Sequence, residues 1–208
     1  MKWSSHITKI TKKANSTLGF IRRNLKHCPE SSRKTVYLAL VRSTLEYSSI
    51  VWDPILVKDI NKLEKVQRQA ARFVTGDYSS REQGCVTKML QDLQLPSLQD
   101  RRKTNRLTFF YKVVEGLVPA MPCHDFLTPV RKSKRNIKPK TFIDCETTNI
   151  IDRQCMNNNK CFKPIQCNTD IYKHSYFPRT LIDWNHLDDS VVSAQTLAGF
   201  KTALTHRD

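Results

Sequence analysis

WSSHITKITKKANSTLGFIRRNLKHCP, residues 3–29, decides how the rest of the chain is read. Trp3, Ile7, Ile10, Ala14, Leu18, Ile21 and Leu25 recur at steps of 4, 3, 4, 4, 3 and 4, which draws one apolar stripe along an α-helix. Ser4 or Ser5 supplies a capping hydroxyl at its start, and Cys28-Pro29 ends it. Lys2, Lys9, Lys12, Lys13, Arg22, Arg23 and Lys26 lie mostly off that stripe. Such a helix packs on one side and presents cations on the other.

Outward from this segment the helical period continues. Ser31 or Ser32 caps a second helix carrying Val36, Leu40, Val41, Leu45 and Ser48, closed by Trp52-Asp53-Pro54. A third helix is predicted over 59–74 with Ile60, Leu63, Val66 or Gln67, Ala70 and Phe73 on its stripe, and Gly76 where a left-handed C-cap belongs. A short fourth covers 86–93. Leu95-Pro96-Ser97-Leu98 breaks the chain and starts a fifth over 98–115, which buries the run Phe109-Phe110-Tyr111 and stops at Gly116 and Pro119. From 118 to 173 the period is lost and Pro119, Pro122, Pro129, Pro139 and Pro164 punctuate an extended, loop-like stretch. A short helix at 181–186 and a last one capped by Ser193, with Leu197, Phe200 and Leu204, complete the chain. No internal repeat is visible.

The charge is one-sided. Thirty-five Lys and Arg against nineteen Asp and Glu give +16 over 208 residues, which points to a polyanionic partner, nucleic acid ahead of an acidic membrane. The cations are clustered: nine fall in residues 1–34 against Glu30 alone, Arg101, Arg102, Lys103 and Arg106 open the fifth helix, and RKSKRNIKPK at 131–140 contains six basic residues and no acid. Each cluster can track phosphates without reading bases.

Several classes are excluded. No apolar run is long enough to span a bilayer, and the basic, polar N-terminus MKWSSHITKITKKA lacks the apolar core of a secretion signal. Seven cysteines, an odd number, then read as reduced thiols in the cytosol or nucleus. Five glycines form no phosphate-cradling GxxxxGKS or GxGxxG loop. Cys145, Cys155, Cys161 and Cys167, with His174 beyond, lack the close CxxC or HxxxH pairs that aim two ligands at one zinc ion, so free thiols are expected. Asp188-Asp189 has neither the aromatic hairpin context nor the third carboxylate of a two-metal polymerase centre and reads as a surface loop. No GxSxG, HExxH or oriented Cys-His pair is present.

Five ordered blocks, residues 3–29 together with YLALVRSTLEYSSIVWDP (37–54), LEKVQRQAARFVTGDY (63–78), DRRKTNRLTFFYKVVEGLVPA (100–120) and HSYFPRTLIDWNHL (174–187), resemble the C-terminal tail of jockey-like non-LTR retrotransposon polyproteins. That tail is the thumb and post-thumb region following the reverse transcriptase palm. The resemblance covers nearly the whole chain. It departs from the family at Ser43-Thr44, where a proline often follows the Val-Arg pair, and at Asp188, where Leu-Pro is frequent. The Cys-rich stretch matches no shared metal motif.

The resemblance implies a thumb-like remnant without the palm's metal-binding carboxylates or the endonuclease, hence no enzyme in this chain alone, although the full-length protein would be an RNA-directed DNA polymerase with endonuclease. The expected fold is mainly α. It comprises a thumb-like helical bundle over 1–78, further helices packing on it over 79–117, an irregular basic and Cys-containing arm over 118–173, and a small C-terminal helical pair over 174–208. The expected function is a sequence-independent grip on template-primer or target DNA through Lys9, Lys12, Lys13, Arg22, Arg23, Lys26, Arg101, Arg102, Lys103 and Arg106. No metal and no cofactor are expected, magnesium belonging only to the missing catalytic domain. The partners are an RNA or DNA backbone and a reverse transcriptase palm, not a membrane. The alternatives are a helical module that docks on that palm, self-associating through exposed apolar faces when alone, and a gene-model fragment without a selected role.

Overall fold

The apolar stripe of residues 3–29 becomes helix α1, Ser4–Asn24, which buries Ile7, Thr11, Ala14, Leu18 and Ile21. The computed structural model describes residues 3–121, 123–130 and 158–205; over these the protein is mainly helical. The chain divides into two compact units, Met1–Asn105 and Arg106–Asp208, with the boundary inside one long helix.

In the first unit, α2 (Glu30–Val36) runs into a π-helical stretch, Tyr37–Arg42, followed by the single turns α3 (Ser43–Glu46) and α4 (Ser49–Trp52). Helix α5 (Val57–Thr75) is the centre: α1 and α2 pack on it, as does α6 (Cys85–Asp92). Leu63, Val66, Ala70, Ala71, Phe73 and Val74 of α5 join Ile7, Leu18, Ile21, Val41, Leu45, Met89 and Leu98 in one apolar core. Gly76 ends α5 as the sequence implies, at φ 79°, its N–H donating to the Arg72 carbonyl at 3.0 Å.

The second helical segment departs from the simple period. Pro29, not a serine, precedes its first turn, and no side chain caps it. The π-helical stretch then widens the turn, so Tyr37, Val41 and Leu45 share the buried side at steps of four, while Leu40, expected inside, is half exposed. Tyr37 has no exposed surface, and its hydroxyl donates to Gln67 Oε1 at 3.0 Å. Gln67, equally buried, passes the chain on from Nε2 to the Pro96 carbonyl at 2.9 Å. Three segments far apart in sequence are thereby tied by two hydrogen bonds that leave no amide or phenol group orphaned.

The second unit begins within α7 (Leu98–Val114) and contains α8 (Cys123–Phe126), α9 (Asp170–Lys173), α10 (Tyr176–Asn185), α11 (Asp189–Val192) and α12 (Leu197–Thr205). Its core is aromatic. Phe110 packs 5.0 Å from the Trp184 ring and Tyr111 stacks on Phe200 at 4.5 Å, whereas Phe109 is only half buried, edge-on to Tyr176. The described end of the irregular stretch is anchored firmly: Asn185 brackets Phe162, accepting its N–H at 3.1 Å and donating to its carbonyl at 2.8 Å, and the Trp184 indole donates to the Lys160 carbonyl at 2.9 Å. The expected cap of the last helix moves as well, since Ser193 closes α11 and Thr196 Oγ1 instead accepts the Gly199 N–H at 3.1 Å at the start of α12.

Burial pushes the Tyr37 phenol up from its ordinary pKa of 10.0, so its contribution to stability is fully present below the unfolded-state value and is lost as pH rises beyond it. Tyr37→Phe leaves Gln67 Oε1 without its donor and should destabilise the chain by about 1–3 kcal/mol at neutral pH. In urea unfolding the gap between the two proteins should narrow above about pH 10, where only the unfolded chain ionises this tyrosine.

Candidate nucleic-acid interface

Because α1 buries one stripe, its cations are left outside: Lys9, Lys12, Lys13, Arg22, Arg23 and, just past the helix end, Lys26 are all exposed. None of the six makes an ion pair among the described residues. Arg22 and Arg23 stand in the last turn, where positive charge also complements the helix dipole. This placement by itself gives a solvated basic face.

The C-terminal end of that face is concave. Arg22, Arg23 and Lys26 line a cleft of about 660 Å³ with Arg33 of α2, Phe73 and Gly76 from the end of α5, and Tyr78. Arg33 is held in place: its Nη1 donates to the Phe73 carbonyl at 3.0 Å, satisfying one of the orphan carbonyls at the end of α5, and its guanidinium lies 6.0 Å from the Phe73 ring centre. Its Nε is buried without a hydrogen-bond partner. Gly76 permits this approach, because a Cβ there would lie 3.0 Å from Arg33 Nη1. Arg22 sits 5.8 Å from the Tyr78 ring centre, and that ring is nearly half exposed.

The turn that carries Tyr78 is tightly tied. Asp77 Oδ1 accepts from the Ser79 and Ser80 N–H groups at 2.9 and 3.0 Å, Asp77 Oδ2 takes the Ser80 hydroxyl, and Arg72 Nη2 donates to the Ser80 carbonyl at 3.0 Å. The Ser80 and Ser79 hydrogen bonds hold the Asp77 carboxyl well below the usual range, so it is ionised throughout the physiological span.

The cations of α7 are placed differently. Arg102 is buried, its Nε donating to Asp53 at 3.0 Å. Arg101 holds Glu46 through both Nε and Nη2, and in the second unit Arg106 is buried against Asp183. Arg102 and Arg106 are therefore inaccessible to a phosphate, and Arg101 meets a carboxylate. Of that cluster Lys103 alone is exposed. The sequence shows four clustered cations but not the acids, 49 to 77 residues away, that fold against Arg101, Arg102 and Arg106. The basic run at 131–140 and Cys145 and Cys155 lie outside the described residues.

Other candidates fall to structural duties. Asp189 opens α11 and accepts from the Asn159 backbone and side-chain N–H groups, tying Asn159 to the start of that helix. Cys161 is buried, its thiol 3.1 Å from the Asn158 carbonyl. Among the described residues no cluster of His, Cys, Asp and Glu is arranged to hold a metal ion, and no helix is long and apolar enough to cross a membrane. A larger groove of about 870 Å³ between α5 and α6 is lined by Lys65 and Arg68 but also by Glu64, which accepts the Gln99 N–H at 3.0 Å, and is otherwise uncharged. It offers an anion less than the α1 cleft does.

Sequence reading missed Arg33, Phe73 and Tyr78 as parts of one site. Arg33 is visible only as one more cation in SSRKT, and Phe73 reads as a core position. No protein-family model, curated protein or solved structure matches this chain.

Arg102→Met removes a buried guanidinium that donates to the Asp53 carboxylate and should cost about 3 kcal/mol or more in chemical denaturation. Its affinity for nucleic acid, measured where the variant remains folded, should equal that of the unaltered protein.

Proposed function

We propose that this chain is a non-catalytic nucleic-acid-binding module, derived from the thumb and post-thumb region of a jockey-like non-LTR retrotransposon reverse transcriptase, that grips RNA or DNA by phosphate contacts. The observation that carries the reading is the basic face of α1 and the residues just after it, where six exposed cations form no ion pair among the described residues. The carboxylates that do form ion pairs neutralise cations elsewhere. A polyanion that meets this face loses little to desolvation of existing ion pairs and gains by releasing its own counterions. The site residues of this reading are Lys9, Lys12, Lys13, Arg22, Arg23 and Lys26, with Lys103 as an exposed outlier on α7.

A second reading draws on the segment joining α3 to α5, where Tyr47, Val51, Ile55, Leu56 and Val57 are all substantially exposed. Several large apolar side chains so near in sequence suit a protein partner such as a polymerase palm. In that reading the cations serve solubility.

Salt dependence separates the two. Four to six phosphate contacts give log K a slope of about −4 to −5 against log salt on B-form duplex. Replacing Lys12, Lys13, Arg22 and Arg23 by Gln should weaken binding to all sequences alike and flatten the slope, with the helical circular dichroism unchanged, since Gln is a fair helix former. A slope near zero in the unaltered protein favours the docking reading.

The absence of catalysis is tested directly. In primer extension on a poly-A template with magnesium or manganese, the pure chain should yield no template-dependent product beside an active reverse transcriptase control. Extension by the chain itself overturns the non-catalytic assignment.

A further inference from the structure

A duplex backbone needs only a convex or flat run of cations, yet the end of α1 provides a walled cleft with an aromatic ring in it. Three features set this cleft apart from the rest of the basic face. Tyr78 is 46% exposed while Phe73, the other aromatic residue in the cleft, is 1% exposed; the Arg22 guanidinium lies over the Tyr78 ring, 5.8 Å from its centre, so of the two residues only Tyr78 offers aromatic surface to a ligand, on the side that Arg22 leaves open. Its turn is fixed by the Asp77 carboxylate and by Arg72 before any ligand arrives, which lowers the ordering cost of binding. Three cations that form no ion pair among the described residues, Arg22, Arg23 and Lys26, share the cleft with it, Arg22 already lying over its ring. An exposed aromatic face among phosphate-binding cations is the arrangement that holds a splayed-out base together with its backbone, and the base of a paired nucleotide cannot reach it.

We infer that this cleft takes one unpaired nucleotide of a single-stranded nucleic acid, its base on the Tyr78 ring and its phosphate among Arg22, Arg23 and Lys26. The inference rests on the phosphate-binding reading above and narrows it to single strands at this position. The volume of about 660 Å³ lies within the range of small-molecule sites and accommodates one nucleotide rather than a duplex. Arg33, fixed on the end of α5, supplies a further positive wall. Because stacking on tyrosine and contact with phosphate are common to all nucleotides, the site discriminates strandedness and not sequence.

The test uses the full chain with labelled oligothymidylate, oligouridylate and a blunt DNA duplex of equal phosphate number, each also prepared with one 2-aminopurine whose fluorescence falls on stacking. The single strands should be quenched on binding and the duplex should not, and the two single-strand arms report whether DNA or RNA is preferred. Tyr78→Ala should lose about tenfold in single-strand affinity, keep its duplex affinity and salt slope, and abolish the quenching, while Tyr78→Phe retains all three properties. Equal losses on strand and duplex, or quenching that persists in Tyr78→Ala, overturn the inference and leave the phosphate grip standing if the Lys12, Lys13, Arg22 and Arg23 variant still flattens the slope. A bound single strand that is not quenched by the unaltered chain overturns it whatever the folding of the variant. Failure of the unaltered chain to bind either form removes both readings together.

Discussion

Burial of α5 is the constraint on which the first unit depends. Helices α1, α2 and α6 each bury part of their apolar surface against it, and none of the short helices α2, α3 and α4 is long enough to be stable alone. The burial includes a glutamine, and Gln67 is tolerated in the core because Tyr37 and the Pro96 carbonyl satisfy both ends of its amide. That requirement also rationalises the π-helical stretch, which rotates Tyr37 inward at the expense of Leu40.

The same packing distributes the charge. Once α1 has laid Ile7, Ala14, Leu18 and Ile21 on its neighbours, its lysines and arginines are left without an ion pair among the described residues. Helix α7 meets the opposite situation, with Glu46 and Asp53 folded against Arg101 and Arg102. Two clusters that look alike as sequence thus differ in kind: one is an accessible basic face, and the other consists of ion pairs that hold elements of their units together. A buried pair of this sort adds little net stability relative to an apolar substitute but is costly to break singly, so its role is to fix geometry.

Unit 2 uses a different device. Its aromatic core of Phe110, Tyr111, Trp184 and Phe200 is closed by side-chain amides, with Asn158 donating to the Trp184 and Leu187 carbonyls at 2.9 and 3.1 Å. Asparagines in place of a sheet ladder satisfy the backbone of an irregular segment, which is why residues 158–165 can be ordered there with only an isolated bridge between Pro129 and Phe162.

What the sequence determined by itself is the helical period and the sign of the charge. Both are local: a stripe at steps of three and four declares α1 and α5 without reference to a partner, and Gly76 declares the end of α5 because a left-handed residue there favours glycine. The extended, loop-like reading of 118–173 is likewise local; among its described residues it misses the helical turns α8 and α9, and it cannot foresee Phe162 or Asn158 in the core, since their burial depends on α10. Tertiary structure alone determined which cations remain accessible, because an ion pair depends on residues as far as 77 positions apart. It alone also assembled Arg22, Arg33 and Tyr78 around one cleft, for these lie on three segments whose proximity follows from how α1 and α2 pack on α5, and no periodicity encodes that.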